Sequence, residues 1–206
     1  VEHAPIAVHG EHVYLGLSGA GVFVFNRTTG ELEETWGSTE EWWIWDDEGE
    51  LFSNFVNLPN SWVMSLHTDV NGDVYVGHEG GFVRRTDSGF ESPSGQDGLF
   101  FGGATTAFAS DSTHLYALQS WQGLCRYRLT DLEPQGCWSN RPNSAVQIDV
   151  SDGTSLRIPS FGRLYATTEH GAYLIDTVNQ TLLQEWTSGG TTWNTPVVVW
   201  NSIAHL

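Results

Sequence analysis

The sequence predicts an all-β fold, a β-propeller built of four-stranded antiparallel blades, with about four blades and a terminal strand. The main observation is a phrase that returns four times: an apolar run around a Tyr, a short gap, a Gly and a second apolar run. The Tyr and Gly of the copies are Tyr14 and Gly21, Tyr75 and Gly81, Tyr116 and Gly123, and Tyr165 and Gly171. Three copies end in a Trp, namely Trp36, Trp138 and Trp186. No segment shows a helical period, so we expect almost no helix.

Each copy divides into short strands in the same order. The strand that precedes the Tyr strand is predicted at residues 5–8, 63–66, 106–109 and 146–149. Polar turns of the Asn-Gly and Asp-Gly kind follow it, for example at Asn71-Gly72 and Asp152-Gly153, and such turns favour hairpins. The strand after the Gly is predicted at residues 22–26, 82–86, 124–128 and 172–176. The second copy has a clipped hairpin that ends near Phe90.

The predicted blades span about residues 4–52, 58–98, 103–140 and 144–190, and a terminal strand falls within residues 195–206. Three arrangements fit this count: a closed ring of four blades, a homo-oligomer that completes a larger ring, and a piece of a longer chain. An open propeller exposes an unpaired strand edge, and the sequence starts at Val1 without an initiator Met. We therefore favour part of a larger propeller or assembly.

The charge balance limits the partners of this chain. It carries 25 acidic residues against eight basic ones, all Arg, and its formal net charge is −17. Nucleic-acid binding needs a basic surface, so the composition excludes it, and it disfavours anionic membranes. No apolar run is long enough to insert into a membrane. A high-salt medium, a medium rich in divalent cations and an ordinary acidic secreted protein all remain compatible with this charge.

The two cysteines indicate an oxidising compartment. Cys125 and Cys137 lie symmetrically about Asp131, in the middle of a polar connection. If the flanking segments form a hairpin, the two side chains face each other at a distance that a disulfide can bridge. We favour a disulfide over two buried free thiols. The chain is then expected outside the cytoplasm, in an extracellular or cell-surface location.

Two stretches carry a resemblance to known repeat families. Residues 58–66, 72–77 and 80–84 read Leu-Pro-Asn-Ser-Trp-Val-Met-Ser-Leu, Gly-Asp-Val-Tyr-Val-Gly and Gly-Gly-Phe-Val-Arg, which resembles the two-component-regulator type of propeller repeat. Residues 12–32 are similar to quinoprotein-like repeats. The resemblance implies a propeller fold and carries no catalytic residue, because its motifs are structural. Such repeats occur in sensor ectodomains, secreted enzymes and large surface proteins, so it does not choose a function.

A candidate binding face lies at the end of the blades where the second strand turns into the third. The segment at residues 40–48 interleaves Trp with acidic residues, a composition typical of carbohydrate or cation-dependent contact surfaces. The alternative is that these Trp residues fold inward or form an extra strand. The candidate binding residues are Trp42, Trp43, Trp45, His78, Trp121, Glu169 and His170.

His78 and His170 each lie beside a Glu on equivalent loops, which is compatible with a metal pair or with acid–base chemistry. The repeat alone explains their alignment, however, and solvated or turn-capping roles are the more common ones. We therefore expect no catalytic residue, no metal centre and no cofactor, with calcium as the one candidate.

The calcium candidate and two glycosylation candidates lie at the opposite end of the blades. Asp69, Asn71 and Asp73 echo the start of a calcium loop, but the Gly and the closing Glu of such a loop are missing, which favours a hairpin turn. Asn26 and Asn179 begin Asn-X-Thr sequons in equivalent turns, where glycans can be attached in a secreted protein.

Taken together, the residues favour a non-catalytic secreted or cell-surface module that binds proteins or glycans or serves structural assembly. Two alternatives remain open. The first is a fragment of a glycan-active or quinoprotein-like propeller enzyme, whose funnel would be completed by further blades. The second is the sensor ectodomain of a signalling receptor.

Overall fold

The computed structural model of the chain describes residues 4–37, 55–93, 103–138, 155–160, 162–168, 171–187, 198–200 and 203–205. All the secondary-structure elements within these ranges are β-strands, as the sequence predicts. Within these ranges no helix is long and apolar enough to cross a membrane. The chain divides into two compact units, Val1–Phe101 and Gly102–Leu206.

The first unit contains two sheets whose strands pair in chain order. Sheet 1 consists of β1 (Ile6–His9), β2 (His12–Leu17), β3 (Gly21–Asn26), β4 (Leu32–Gly37) and β5 (Phe55–Asn57). Sheet 2 consists of β6 (Val63–Thr68), β7 (Val74–His78), β8 (Gly81–Thr86) and β9 (Gly89–Glu91). All neighbours are antiparallel except β5, which runs parallel to β4. The sequence analysis missed β5, a three-residue strand between the first two predicted blades.

The second unit contains two more four-stranded antiparallel sheets and a hairpin. Sheet 3 consists of β10 (Thr105–Ser110), β11 (His114–Gln119), β12 (Gly123–Arg128) and β13 (Pro134–Trp138). Sheet 4 consists of β14 (Ser155–Ser160), β15 (Arg163–Thr168), β16 (Gly171–Asp176) and β17 (Thr181–Thr187). The segment predicted as one terminal strand contains two, β18 (Val198–Trp200) and β19 (Ile203–His205), which pair with each other.

One strand prediction was wrong. The strand that pairs with β15 in sheet 4 is β14, with Ser155 opposite Thr167 and Ser160 opposite Arg163, and not residues 146–149. The hairpin closes at Gly162, whose φ of +77° is a conformation that favours glycine, rather than at Asp152-Gly153. The pairing is irregular between Arg157 and Ser160. Apolar and polar residues therefore do not alternate strictly along β14, and the sequence pattern does not reveal the strand.

These four sheets, each with four antiparallel strands paired in chain order, are blades of a β-propeller-type fold. The repeated residues hold each blade together. The Tyr of the second strand packs against the Trp of the fourth, with ring centroids 5.5 Å apart for Tyr14 and Trp36 and 6.3 Å apart for Tyr116 and Trp138. In sheet 4, Tyr165 and Trp186 are stacked at 6.4 Å.

Each unit has its own hydrophobic core between its two sheets. In the first unit, the buried cluster is Ala7, Tyr14, Val22, Val24, Trp36, Leu58, Val63, Val74, Val76 and Val83. Sheet 2 lacks the closing Trp, and Phe90 of β9 instead packs edge-on against Trp36 of sheet 1 at 5.4 Å. The clipped hairpin predicted near Phe90 is therefore present, and its aromatic ring contributes to the core of the unit.

The Gly of the repeated phrase allows the close approach of the fourth strand. Gly21 has a φ of +83°, and a Cβ atom there would lie 1.9 Å from the backbone oxygen of Trp36. A side chain at this position would push the Trp strand away from the sheet. The Gly and the Trp of the phrase are thus linked physically, although 14 residues separate them in the sequence.

The turns between the third and fourth strands share one geometry in sheets 1, 3 and 4. A residue with positive φ occupies the same place in each: Gly30 at +74°, Leu132 at +54° and Gln180 at +54°. Each turn is followed by a ladder irregularity at the equivalent position. Only one of these three positions carries the glycine that this conformation favours.

The predicted disulfide is present. Cys125 of β12 and Cys137 of β13 are directly opposite each other, and their Sγ atoms are bonded. The bond closes the turn between the third and fourth strands of sheet 3. It ties together two strands that this sheet also joins by its backbone ladder.

Exchanging residues at the left-handed turn positions is expected to change stability in opposite directions. Gly30→Ala should lower the free energy of unfolding by about 1 kcal/mol, because a non-glycine residue is strained at positive φ. No atom lies within 4 Å of the added Cβ, so backbone strain is the whole effect. Gln180→Gly should raise it by roughly 0.5 kcal/mol through relief of the same strain. Urea unfolding measures both. Gln184→Gly, in a strand, is the control and should only destabilise; a stabilising effect there would contradict the explanation.

Reducing the disulfide is expected to destabilise the protein by about 3 kcal/mol, because it releases a short closed loop in the unfolded chain. Thiol titration of the unfolded protein should detect no free thiol before reduction and two after it, since the sequence has two cysteines. Urea unfolding with and without dithiothreitol gives the energy. In the double variant Cys125→Ala/Cys137→Ala the reductant should have no effect, and any effect there would assign the loss to another cause.

Candidate functional site

Most of the predicted binding face lies outside the described residues. This holds for Trp42, Trp43 and Trp45 and also for Glu169 and His170. Of the predicted binding residues, the structure describes His78 and Trp121, and it places them in very different surroundings.

His78 ends β7 and is completely buried. Its Nδ1 accepts a hydrogen bond from the Gly80 backbone N–H at 3.1 Å, while its Nε2 is buried with no hydrogen-bond partner among the described residues. Burial lowers the pKa of His78 to about 4. The imidazole is therefore neutral at neutral pH and does not reach an exposed contact surface.

Trp121 lies on the turn between β11 and β12, and 64% of it is exposed. This turn contacts the residues just before β10. Ser120 donates its backbone N–H to the Ala104 carbonyl at 3.0 Å, and a Cβ atom added to Gly103 would lie 2.9 Å from Cγ of Trp121. The indole is thus exposed to solvent on a turn that packs against Gly103 and Ala104.

The next residue along this turn contacts the disulfide. The Oε1 atom of Gln122 lies 3.6 Å from Sγ of Cys125 and 3.8 Å from Sγ of Cys137. The disulfide therefore supports the turn that carries Trp121. The sequence singled out the Cys pair and Trp121 separately; only the structure joins them.

A second exposed indole was missed. Trp62 lies just before β6 and is 50% exposed. It forms an isolated antiparallel bridge to Ser18, and its backbone N–H donates to Oδ1 of Asn60 at 2.8 Å. The sequence analysis treated Trp62 only as part of the repeat motif. Its place just before a blade strand, next to the polar Asn60-Ser61, was the available signal.

The calcium candidate is used by the turn itself. Asp69 is buried, and its Oδ1 accepts hydrogen bonds from the backbone N–H groups of Asn71 at 2.9 Å and Asp73 at 3.0 Å. Its Oδ2 accepts from the hydroxyl of Tyr75 at 3.3 Å. No group of three His, Cys, Asp or Glu residues within the described ranges is arranged to hold a metal ion.

Sheet 3 repeats this arrangement with Asp111. Its Oδ1 accepts from the backbone N–H groups of Thr113 and His114, both at 2.8 Å, and its Oδ2 accepts from the hydroxyl of Tyr116 at 3.2 Å. Although burial by itself raises the pKa of Asp111, these hydrogen bonds outweigh it and hold the pKa below its usual value. An Asp in the first turn therefore caps that turn and binds the Tyr of the same blade.

The two sequons fall on the turns predicted for them. In Asn26, Oδ1 accepts from the backbone N–H groups of Thr28 and Thr29, and Nδ2 donates to Glu33 at 3.0 Å. Asn179 is exposed, and its Nδ2 donates to Asp176 at 3.2 Å. A glycan takes one of the two hydrogens of Nδ2 and leaves the other free to bond to the carboxylate. Asn179 is the more accessible of the two Asn residues.

The structure also contains a cleft that the sequence analysis did not find. It has a volume of about 530 Å³ and lies within the first unit, between sheets 1 and 2. Its walls combine aromatic, acidic and basic side chains. They are His12, Tyr14, Val24, Glu34, Trp36, Gly72, Asp73, Val74, Arg84, Arg85, Thr86 and Asp87.

Arg85 lines one wall of this cleft. Its guanidinium donates to Oε1 of Glu34 at 2.8 Å and lies over the rings of Trp36 at 5.7 Å and Phe90 at 5.6 Å. The other carboxylate oxygen of Glu34 accepts from Nε1 of Trp36 at 2.7 Å. Glu34 thus joins Arg85 and Trp36 through its two carboxylate oxygens, while Nε of Arg85 is buried without a hydrogen-bond partner among the described residues.

The charged side chains of the opposite wall are less completely paired. Arg84 forms ion pairs with Glu91 and, at 3.4 Å, with Asp73. Burial and the nearby Asp69 raise the pKa of Asp73 above its ordinary value, in spite of Arg84. Burial is the larger of the two causes, and the negative charge of Asp69 adds to it.

No protein-family model matches this chain, and no curated protein matches it. Solved structures do. A computationally designed protein, Ika8, aligns with a TM-score of 0.62 and 16% identity over 99% of this chain and 55% of its own. The extracellular domain assigned to a hybrid two-component system of B. thetaiotaomicron aligns with a TM-score of 0.69 and 15% identity, over 95% of this chain.

A second extracellular domain from B. thetaiotaomicron, assigned to a one-component system, aligns with a TM-score of 0.64 and 16% identity over 96% of this chain. The chain spans 24% of the length of each of these two domains. At such low identity the similarity establishes the propeller-type fold, and this chain corresponds to a part of those larger domains.

Acid is expected to destabilise the protein through its buried histidines. The pKa values of His67 and His78 are lowered to about 4, mainly by burial, from an ordinary 6.5. Below pH 6.5 these histidines are protonated in the unfolded chain but remain neutral in the folded chain. The free energy of unfolding is therefore unaffected by them above pH 6.5 and decreases as the pH falls towards 4. For His78 the loss near pH 4 is about 3 kcal/mol.

Urea unfolding between pH 7 and pH 4 tests this expectation, with His78→Gln removing the titrating group. The variant should lose stability less steeply over this range than the wild type. His9→Gln, at an exposed position, should follow the wild-type curve. Equal slopes for His78→Gln and the wild type would show that His78 does not cause the acid sensitivity.

Proposed function

We propose that this chain is a non-catalytic binding module of an extracellular protein. The observation that carries the proposal is Trp121, an indole that is 64% exposed on a turn supported by the disulfide. An exposed Trp contributes a large contact area at a low entropic cost, and residues of this type dominate the binding energy of many interfaces. The turn is also tied to Ala104 by a backbone hydrogen bond, and contacts that hold a turn before binding reduce the ordering that binding has to pay for.

The disulfide and the charge support an extracellular location. Disulfides form and persist in oxidising compartments. The net charge of −17 favours solubility and disfavours anionic partners such as nucleic acid. The similarity to extracellular domains adds support at the level of the fold.

A second candidate function is a segment of a sensor ectodomain. It is favoured by the alignment with extracellular domains assigned to one-component and two-component systems. Because the chain spans 24% of each of them, the sensor role would belong to a longer protein in which these blades form one part. The two candidates share the binding role and differ in what binding controls.

Replacing Trp121 is expected to weaken partner binding. Trp121→Ala should reduce affinity by about 30-fold, since a central Trp contributes roughly 2 kcal/mol or more to an interface. The measurement is binding of the labelled chain to an array of glycans and to an array of extracellular proteins. The two arrays distinguish the two classes of partner.

Val178→Ala is the matched control, because Val178 is an apolar residue with a similar exposure of 61% on another turn of the second unit. It should bind like the wild type. Circular dichroism and thermal unfolding verify that both variants are folded. Unchanged binding by Trp121→Ala, or the same loss in both variants, would reject the role of Trp121.

A further inference from the structure

The cleft of the first unit carries an inference that is independent of Trp121. Its volume of about 530 Å³ lies within the range of small-molecule sites. All of its lining residues belong to sheets 1 and 2 and to the turns of sheet 2. Its shape is therefore determined within one compact unit.

The hydroxyl of Tyr14 is the first indication of a ligand. Tyr14 is only 8% exposed and lines the cleft, and no hydrogen bond to its hydroxyl is formed by the described residues. The equivalent Tyr75 and Tyr116 donate their hydroxyls to Asp69 and Asp111. The hydroxyl of Tyr14 is therefore open to the cleft, with its hydrogen-bonding capacity available to a bound molecule.

The sequence of the first turn explains why Tyr14 differs. Sheets 2 and 3 have an Asp in the turn between their first and second strands, but the turn of sheet 1 is His9-Gly10-Glu11. His9 pairs with His12 across this tight turn, and Glu11 is exposed. The acceptor that sheets 2 and 3 supply is therefore missing in sheet 1, and the hydroxyl remains available in the cleft.

Charge indicates the kind of ligand. Two guanidinium groups in the cleft wall, those of Arg84 and Arg85, are already paired with Glu91 and Glu34. Two further carboxylates line the cleft. Asp73 has only the 3.4 Å contact with Arg84, and Asp87 is exposed and has no ion pair among the described residues. The cleft thus has an excess of negative charge, and a partly enclosed site concentrates that field.

We propose that this cleft binds a small organic cation that carries an ammonium or guanidinium group. The N–H groups of the cation donate to the carboxylates of Asp73 and Asp87 and to the hydroxyl oxygen of Tyr14. Burial and the carboxylate of Glu34 raise the pKa of Tyr14, so this hydroxyl stays neutral and does not itself become a counter-ion. Arg85 is stacked on Trp36 and paired with Glu34, which limits its repulsion of the ligand.

Agmatine, which has both cationic groups, is the probe. Its binding is measured by isothermal titration calorimetry and by the NMR signal of the Trp36 indole N–H, which lies in the cleft wall. Glucose and succinate serve as neutral and anionic comparisons. Agmatine should bind and shift the Trp36 signal, with an affinity that falls as salt is added, while the other two compounds should not.

Two variants test the contacts. Tyr14→Phe removes only the hydroxyl and should weaken agmatine binding about tenfold, since a hydrogen bond to a charged group is lost. Asp87→Asn should weaken it about fivefold, as expected for a partly exposed charge pair. Glu133→Gln removes an exposed charge in the second unit and should leave the affinity unchanged.

The proposal is overturned if agmatine does not bind at millimolar concentration, if glucose or succinate binds equally well, or if Asp87→Asn and Glu133→Gln behave alike. Asp87 is on an exposed turn, so its variant remains informative even if Tyr14→Phe fails to fold. Because Trp121→Ala leaves the cleft intact, agmatine binding by that variant should be unchanged. A failure of the partner-binding role and a failure of this site are therefore separate results.

Discussion

The contact between the Tyr of the second strand and the Trp of the fourth strand is the interaction on which sheets 1, 3 and 4 depend. The two rings meet across the third strand of the sheet. The third-strand residues opposite the Trp, Val22 in sheet 1 and Leu124 in sheet 3, are completely buried. In sheet 1 the close approach requires Gly21 at the start of the third strand, where a side chain would strike the backbone of Trp36. Strand order, burial and the position of the Gly therefore follow from one aromatic contact.

Sheet 2 shows what happens without the Trp. Its fourth strand is short, and the ring of Phe90 contacts Trp36 of sheet 1 instead of completing its own sheet. Arg85 is placed over both rings and is neutralised by Glu34. Trp36 and Arg85 also line the cleft, so the contacts of Phe90 lie directly behind its wall.

Much of the fold could be predicted from residues that lie close together in the sequence. The Tyr and Gly strands, the Cys125–Cys137 pair and the hairpin near Phe90 depend on local alternation and local turns. The prediction was wrong for the first strand of sheet 4, where the pairing with Arg163–Thr168 is irregular and the turn uses Gly162. It also missed β5, since a three-residue parallel strand has no pattern of its own.

The candidate sites were predictable only where exposure follows from a turn. Trp121 and Asn179 lie on turns and are exposed, whereas His78, the last residue of β7, is fully buried. Asp69 reads as a metal ligand in the sequence and acts as a turn cap that binds Tyr75. The same residue type has different roles because the acceptor or donor opposite it is supplied by another strand.

By itself the sequence determined the strand periodicity, the turn chemistry, the acidic surface and the pairing of the two cysteines, because all of these depend on the composition or on neighbouring residues. Only the tertiary structure decided which side chains are left without partners. The hydroxyl of Tyr14, the buried Nε2 of His78 and the uneven charge of the cleft arise from contacts between strands far apart in the chain. Burial and charge pairing are properties of those contacts, and a local pattern does not contain them.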